Sequence, residues 1–88
     1  MIICRVLGSV WATRKYPELG GYKLMRVEEL ESDHPRKFVC IDTVGAGIGE
    51  RALVCEGASA FHFMKESFSG AVPTDAVIVG FLDEDVSL

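Results

Sequence analysis

One mid-chain stretch constrains this fold more than any other: Asp42-Thr-Val-Gly45-Ala46-Gly47-Ile48-Gly49-Glu50-Arg51. An apolar, β-like run over residues 38–41 enters it, and another over residues 52–55 leaves it. Three glycines fall within five residues. A two-residue hairpin turn is satisfied by a single Asn-Gly or Gly-Gly pair. Alternating glycines ask for more: backbone packed where a Cβ would clash, or a positive φ. The neighbour in that contact is a phosphate, another part of the chain, or another copy of the loop. The flanks weigh against phosphate. No Gly-Lys-Ser/Thr follows, as a Walker A loop requires, and a strand rather than a helix comes next, unlike a dinucleotide-binding turn.

On either side of this loop the chain alternates as strands do. Residues 2–13 place Ile2, Cys4, Val6, Gly8, Val10 and Ala12 on one face, all apolar or small, and a mixed set on the other. A period of two marks a strand with one buried face. Gly8 in its middle predicts a bend or bulge. Residues 14–21 form a charged loop with a proline and a glycine pair. Further strands are predicted over residues 22–30, 37–44, 51–56 and 76–83, with a polar turn over residues 31–36. Residues 57–67 change character. Ser59 is placed to cap a short helix whose inner face holds Ala60, Phe61 and Met64. The last strand, Ala-Val-Ile-Val-Gly-Phe-Leu-Asp, is apolar on both faces, which requires cover on both sides, deep in a barrel or against a neighbouring subunit. Five strands and one short helix before the last describe a mainly β, OB-like barrel, although strand count alone does not separate it from an SH3-like one.

Eighty-eight residues make one domain, and a lone domain of this length buries roughly 60–65% of its unfolded surface. With 49% hydrophobic residues and loose strand edges, such a barrel gains by closing into a cyclic ring. Thirteen acids against nine bases give a net charge of −4, which argues against a nucleic-acid partner. Cys4, Cys40 and Cys55 are odd in number and lie in apolar runs, as buried reduced thiols in a reducing cytosol do. The start of the chain lacks the basic and long apolar segments of a signal peptide, and no run approaches the roughly 20 apolar residues of a membrane span.

No constellation for catalysis emerges. His34 precedes a proline in a polar turn. His62 lies between two phenylalanines and is expected to be partly buried. There is no Cys-x-x-Cys or His-x-x-x-His spacing for zinc and no Gly-x-Ser-x-Gly elbow. Each cysteine reads as core rather than nucleophile. Asp42, the one carboxylate inside an apolar strand, either caps loop amides or bonds a neighbouring subunit. Catalytic, cofactor-binding and metal residues are accordingly expected to be absent.

Several segments, in order, carry a resemblance: Gly8-Ser-Val-Trp-Ala-Thr13, Lys23-Leu-Met, Asp42-Thr-Val-Gly-Ala-Gly-Ile-Gly-Glu50, Gly57-Ala-Ser-Ala60 and Pro73-Thr-Asp-Ala-Val-Ile-Val-Gly80. Together they resemble the bacterial microcompartment vertex proteins of EutN/CcmL type, across nearly all of residues 1–88. The resemblance implies an OB-like barrel that assembles as a homopentamer and closes the corners of a polyhedral shell around enzymes in the bacterial cytoplasm. It implies other shell proteins as partners, with no catalysis, no cofactor, no nucleic acid and no membrane. Many members carry a basic residue where this chain has Phe61, so Phe61-His-Phe-Met64 marks a departure. In a ring, one element of each copy approaches the axis, where space is smallest. Gly45, Ala46, Gly47, Ile48, Gly49 and Glu50 are expected there, Ile48 inward or at the rim, and Glu50 turned outward or paired with a base such as Arg51. Thr13, Asp42 and Arg51 are the candidates for subunit contacts. The alternative class is an OB-like binding module for single-stranded nucleic acid or a peptide, for which Trp11 and Tyr22 are available but the charge balance is wrong.

Overall fold

Alternation in the first strand decides which way the sheet curls. In β1, Ile2–Ser9, the buried side chains are Cys4 and Val6, while Ile3, Arg5 and Leu7 are only half-buried. The same period repeats in β2, Lys23–Glu29, through Met25 and Val27. It continues in β3, Lys37–Asp42, through Cys40, and in β4, Arg51–Glu56, through Ala52 and Val54. Folding the four buried faces onto one another, together with β5, Ala76–Leu82, makes a barrel. This is a computed structural model, and it describes residues 1–10, 21–68 and 74–82.

The strands close in the order β1-β2-β3-β5-β4, with β4 returning to β1. All neighbours are antiparallel except β3 and β5, which pair parallel through Ile41↔Val77 and Asp42↔Ile78. Each strand therefore has two partners, and the loose strand edges expected from the sequence are absent from the barrel. Gly8 does mark a bulge: the β1–β2 register shifts between Val6 and Gly8. A second irregularity lies between Leu53 and Val54 against β5. Two predicted strands are longer than observed: β2 starts at Lys23 and ends at Glu29, and β3 stops at Asp42 because Thr43 and Val44 already belong to the loop; β1 runs to Ser9, with Val10 just beyond it. The expected extension of β1 through Trp11 and Thr13, and Asp83 at the end of β5, lie outside the described residues.

Among the described residues there are two cores. The first fills the barrel with Cys4, Val6, Met25, Val27, Cys40, Ala46, Ala52, Val54, Ala76 and Ile78. The second lies outside it, where α1, Ala58–Phe68, covers Ile41 and Val77 with Ala60 and Met64. This explains why β5 is apolar on both faces. Ala76 and Ile78 face the barrel, while Val77 and Val79 face the chain's own helix, so neither depth in the barrel nor a neighbouring subunit is needed to cover them.

The helix differs from the sequence expectation at two points. Ser59 is not its cap. The Gly57 carbonyl accepts from the amides of Ala60 and Phe61 at 3.1 and 3.3 Å, and the Ser59 hydroxyl donates back to the Glu56 carbonyl at 2.8 Å. The helix phase is also rotated. Ala60, Phe63 and Met64 form the inner face at i, i+3 and i+4, which leaves Phe61 and His62 exposed in an edge-on ring contact. The partial burial expected for His62 is not found. Lys65 sits in the last turn, where a cation complements the helix dipole.

Candidate functional site

The loop between β3 and β4 is held from within by two carboxylates. Asp42, only 8% exposed, ends β3 with its side chain turned onto the following backbone. Oδ1 accepts the amides of Val44 and Gly45 at 2.9 and 3.1 Å, and Oδ2 that of Ala46 at 2.8 Å. Of the two readings of Asp42, this geometry is the capping one. Glu50 closes the other end. Its Oε1 accepts the Gly47 amide at 2.9 Å, and its own amide donates to the Gly47 carbonyl at 3.1 Å. Charge-assisted bonds of this kind are stronger than neutral ones, so two acids fix four consecutive loop amides, Val44 to Gly47, in one conformation.

The glycines have individual reasons. Gly45 and Gly49 have φ of +79° and +87°, values that a side chain resists. Gly47 has ordinary φ, but a Cβ there would lie 2.6 Å from the Glu50 carboxylate that bonds its amide. All three requirements are met inside one chain. Crowding by other copies of the loop is therefore not needed to explain them.

The loop is also docked on the barrel. Gly49 N–H donates to the Val6 carbonyl at 2.8 Å, Val6 N–H to the Glu50 carbonyl at 2.9 Å, and the Arg5 guanidinium to the Gly49 carbonyl at 2.6 Å. The Thr43 hydroxyl reaches the Ile78 carbonyl on β5 at 2.8 Å. Ala46 is fully buried in the barrel core, whereas Val44 and Ile48 on either side are exposed, Ile48 by 73%. A pinned backbone thus presents two apolar side chains to solvent. Of the contact candidates, Asp42 and Arg51 flank this loop, with Arg51 opposite Arg5 in the β1–β4 ladder, and Thr13 lies outside the described residues.

A second cluster sits at the far end of the barrel and was not legible as more than a polar turn. Arg36 donates to both Glu29 oxygens, at 2.9 and 3.2 Å, and to Glu56 Oε1 at 3.0 Å, while lying 5.1 Å over the Phe38 ring. These bonds hold the Glu29 carboxyl below its ordinary range and push the Arg36 guanidinium up. The signal in the sequence was faint: Glu29 and Glu56 end their strands at inward-facing positions, where a carboxylate requires a partner.

The thiols carry no sign of reactivity. Burial pushes Cys4 up to about 11, helped by the charges of Glu29 and Glu56, and pushes Cys40 up to about 12. Cys55 is half-buried against the helix cluster. Among the described residues, no three His, Cys, Asp or Glu side chains are grouped to hold a metal.

Three comparisons bear on what such a barrel is. The family described as ethanolamine utilisation protein EutN/carboxysome matches residues 1–83. The carboxysome shell vertex protein CcmL of Synechocystis sp. is 41% identical over 86 residues, covering 94% of this chain and 83% of that protein. The microcompartment shell vertex protein PduN of Salmonella typhimurium is 38% identical over 93 residues, covering 94% and 96%. Among solved structures, the GrpN pentameric microcompartment shell protein of Rhodospirillum rubrum superposes with a TM-score of 0.75 at 33% identity, over 100% of this chain and 99% of that one. By sequence match along almost its whole length, and by the same barrel, the chain belongs to the EutN/CcmL family.

Proposed function

We propose that this protein is a structural component of a bacterial microcompartment shell, a homopentamer that closes a vertex of the polyhedron in the cytoplasm alongside other shell proteins. The observation that carries the reading is its similarity, along 94% of the chain, to proteins named as shell vertex proteins. The pentameric relative of the same fold supports the ring of five. A role without catalysis agrees with the Cys4 and Cys40 thiols, which burial raises out of the nucleophilic range, and with Asp42 and Glu50, which are committed to backbone amides.

The loop of Gly45, Ala46, Gly47, Ile48, Gly49 and Glu50 is the part of each copy set nearest the five-fold axis. Its rigidity and its exposed Ile48 suit a narrow opening where copies meet. Asp42 contributes to the ring by shaping this loop rather than by charge, since its oxygens are already engaged. Arg51 and Thr13 remain the candidates for direct contact between copies.

Light scattering behind a sizing column tests the ring. Five chains of 9.6 kDa give about 48 kDa. A monomer at micromolar concentration would exclude the vertex role, and about 58 kDa would mean six copies. For the loop, Ile48→Lys is the discriminating variant, because Gly47→Val disturbs the Glu50 bond within one chain whatever surrounds it. Loss of the 48 kDa species with unchanged circular dichroism is expected. Retention of that species would put the loop away from the axis.

A further inference from the structure

The outer wall of the barrel carries an open groove of about 510 Å³ that neither core uses. It lies over the β1 bulge, lined by Leu7, Gly8 and Ser9 on β1, Val10 just after it, Arg26 on β2 and Val39 on β3. The registers set Gly8 opposite Arg26 and Arg26 opposite Val39, so a small, a cationic and an apolar residue stand side by side. Val39 is 45% exposed, and neither it nor Leu7 packs in a core. A Cβ added at Gly8 would meet nothing within 4 Å. Among the described residues, no carboxylate lies within ion-pair distance of Arg26. The next outward acid on β2, Glu28, is already 4.0 Å from Lys37.

Such a groove fits a segment whose sequence is acidic and then apolar. This chain has one directly after β5: Asp83, Glu84 and Asp85, followed by Val86 and Leu88. In its own copy the segment leaves β5, which lies beside β3 on one side, where α1 covers the outer face over Ile41 and Val77, and beside β4 on the other. Leu82 pairs with Arg51 on β4, on the side of β1 away from β2. There the docked loop, bonded to Val6 through Gly49 and Glu50, stands between Leu82 and the groove.

We propose that the groove receives residues 83–88 of the adjacent copy in the ring, Arg26 pairing with its carboxylates and Val39 and Leu7 packing against Val86 and Leu88. This rests on the ring reading above. One groove and one such segment per chain suit a head-to-tail contact, which closes when every copy gives and receives once.

The test is the mass in solution of charge-reversed variants. Arg26→Glu should lose the 48 kDa species. So should Asp83→Lys/Glu84→Lys/Asp85→Lys, and combining the two sets should restore it. Gly8→Leu, which fills the groove where a side chain meets no neighbour, should lose the ring with unchanged circular dichroism. A Val39→Cys/Ser87→Cys protein, oxidised and run on a non-reducing gel, should form cross-links between chains. Cross-links only within a chain, reversals that keep the full mass, or a combination that fails to restore it would each overturn the proposal. A wild-type protein that is not pentameric would instead overturn the ring reading itself.

Discussion

The two ends of the barrel are closed by carboxylates in opposite ways. At one end Asp42 and Glu50 are turned onto backbone amides of the loop between β3 and β4, with Asp42 almost out of solvent. At the other, Glu29 and Glu56 share one arginine that remains open to water. The first arrangement fixes backbone and cannot be given up piecemeal. If the acid is removed, several amides lose their partners at once. The second joins strand ends by long side chains, in a medium where salt and pH compete. A loop built to present a surface needs the first kind of closure, and a seam that only keeps strands together manages with the second.

The sharpest way to break this contrast is Asp42→Ala. Three amides lose a charged acceptor, and the loss in unfolding free energy should be about 3 kcal/mol by urea titration. A loss below ~1 kcal/mol would show that water replaces the carboxylate and that the loop is softer than its bonds suggest. Gly49→Ala comes next. Its φ of +87° puts a Cβ in the left-handed region, at a cost of about 1–2 kcal/mol with every contact intact. An unchanged midpoint would mean that the loop can relax.

At the opposite end the expected sign is reversed. Glu31, in the turn between β2 and β3, has φ of +61°, so Glu31→Gly should stabilise the fold by about 0.5–1 kcal/mol. Destabilisation would reveal a side-chain role for Glu31. The smallest effect belongs to Arg36→Gln, which should lower the melting temperature slightly at low salt and not at all in roughly 1 M salt. Its pH dependence follows from Glu29. The folded-state pKa is lowered by Arg36, so the contribution is full above the unfolded value, near 4.3, and is lost as pH falls through the folded one. A salt-independent loss would place this pair with the buried kind.

Much of this was legible in the residues, and the limits have physical causes. Period-two alternation located β1 because only its Cys4 and Val6 face is fully buried, whereas β5 is covered on both faces and was read from its apolar run. Gly8 gave away the bulge because glycine inside a strand weakens it unless a distortion needs it. The loop's importance was legible from its glycines, but the reason for each was not. Spacing does not report the sign of φ at Gly45 and Gly49, or the carboxylate of Glu50 that comes back over Gly47. Phe61 was misplaced because Ala60, Phe61 and Met64 and the observed Ala60, Phe63 and Met64 both make a plausible stripe, and only packing chooses between them. The Arg36 cluster stayed hidden because its partners lie 7 and 20 residues away and meet only once the barrel is closed.

The position of β5 has a consequence for how the chain is made. It is the last of the described strands in sequence, yet it lies between β3 and β4, pairing parallel with one and antiparallel with the other. Until residue 82 is available, β3 and β4 each present an unpaired edge, and Ile41, Val54 and Met64 lack part of their cover. Barrel closure is therefore a non-local step that waits for residues 76–82, in the slow class of folding events, and the waiting intermediate carries two adhesive strand edges. Expression conditions that give the chain time at low concentration before copies meet should favour correct closure over strand-to-strand association.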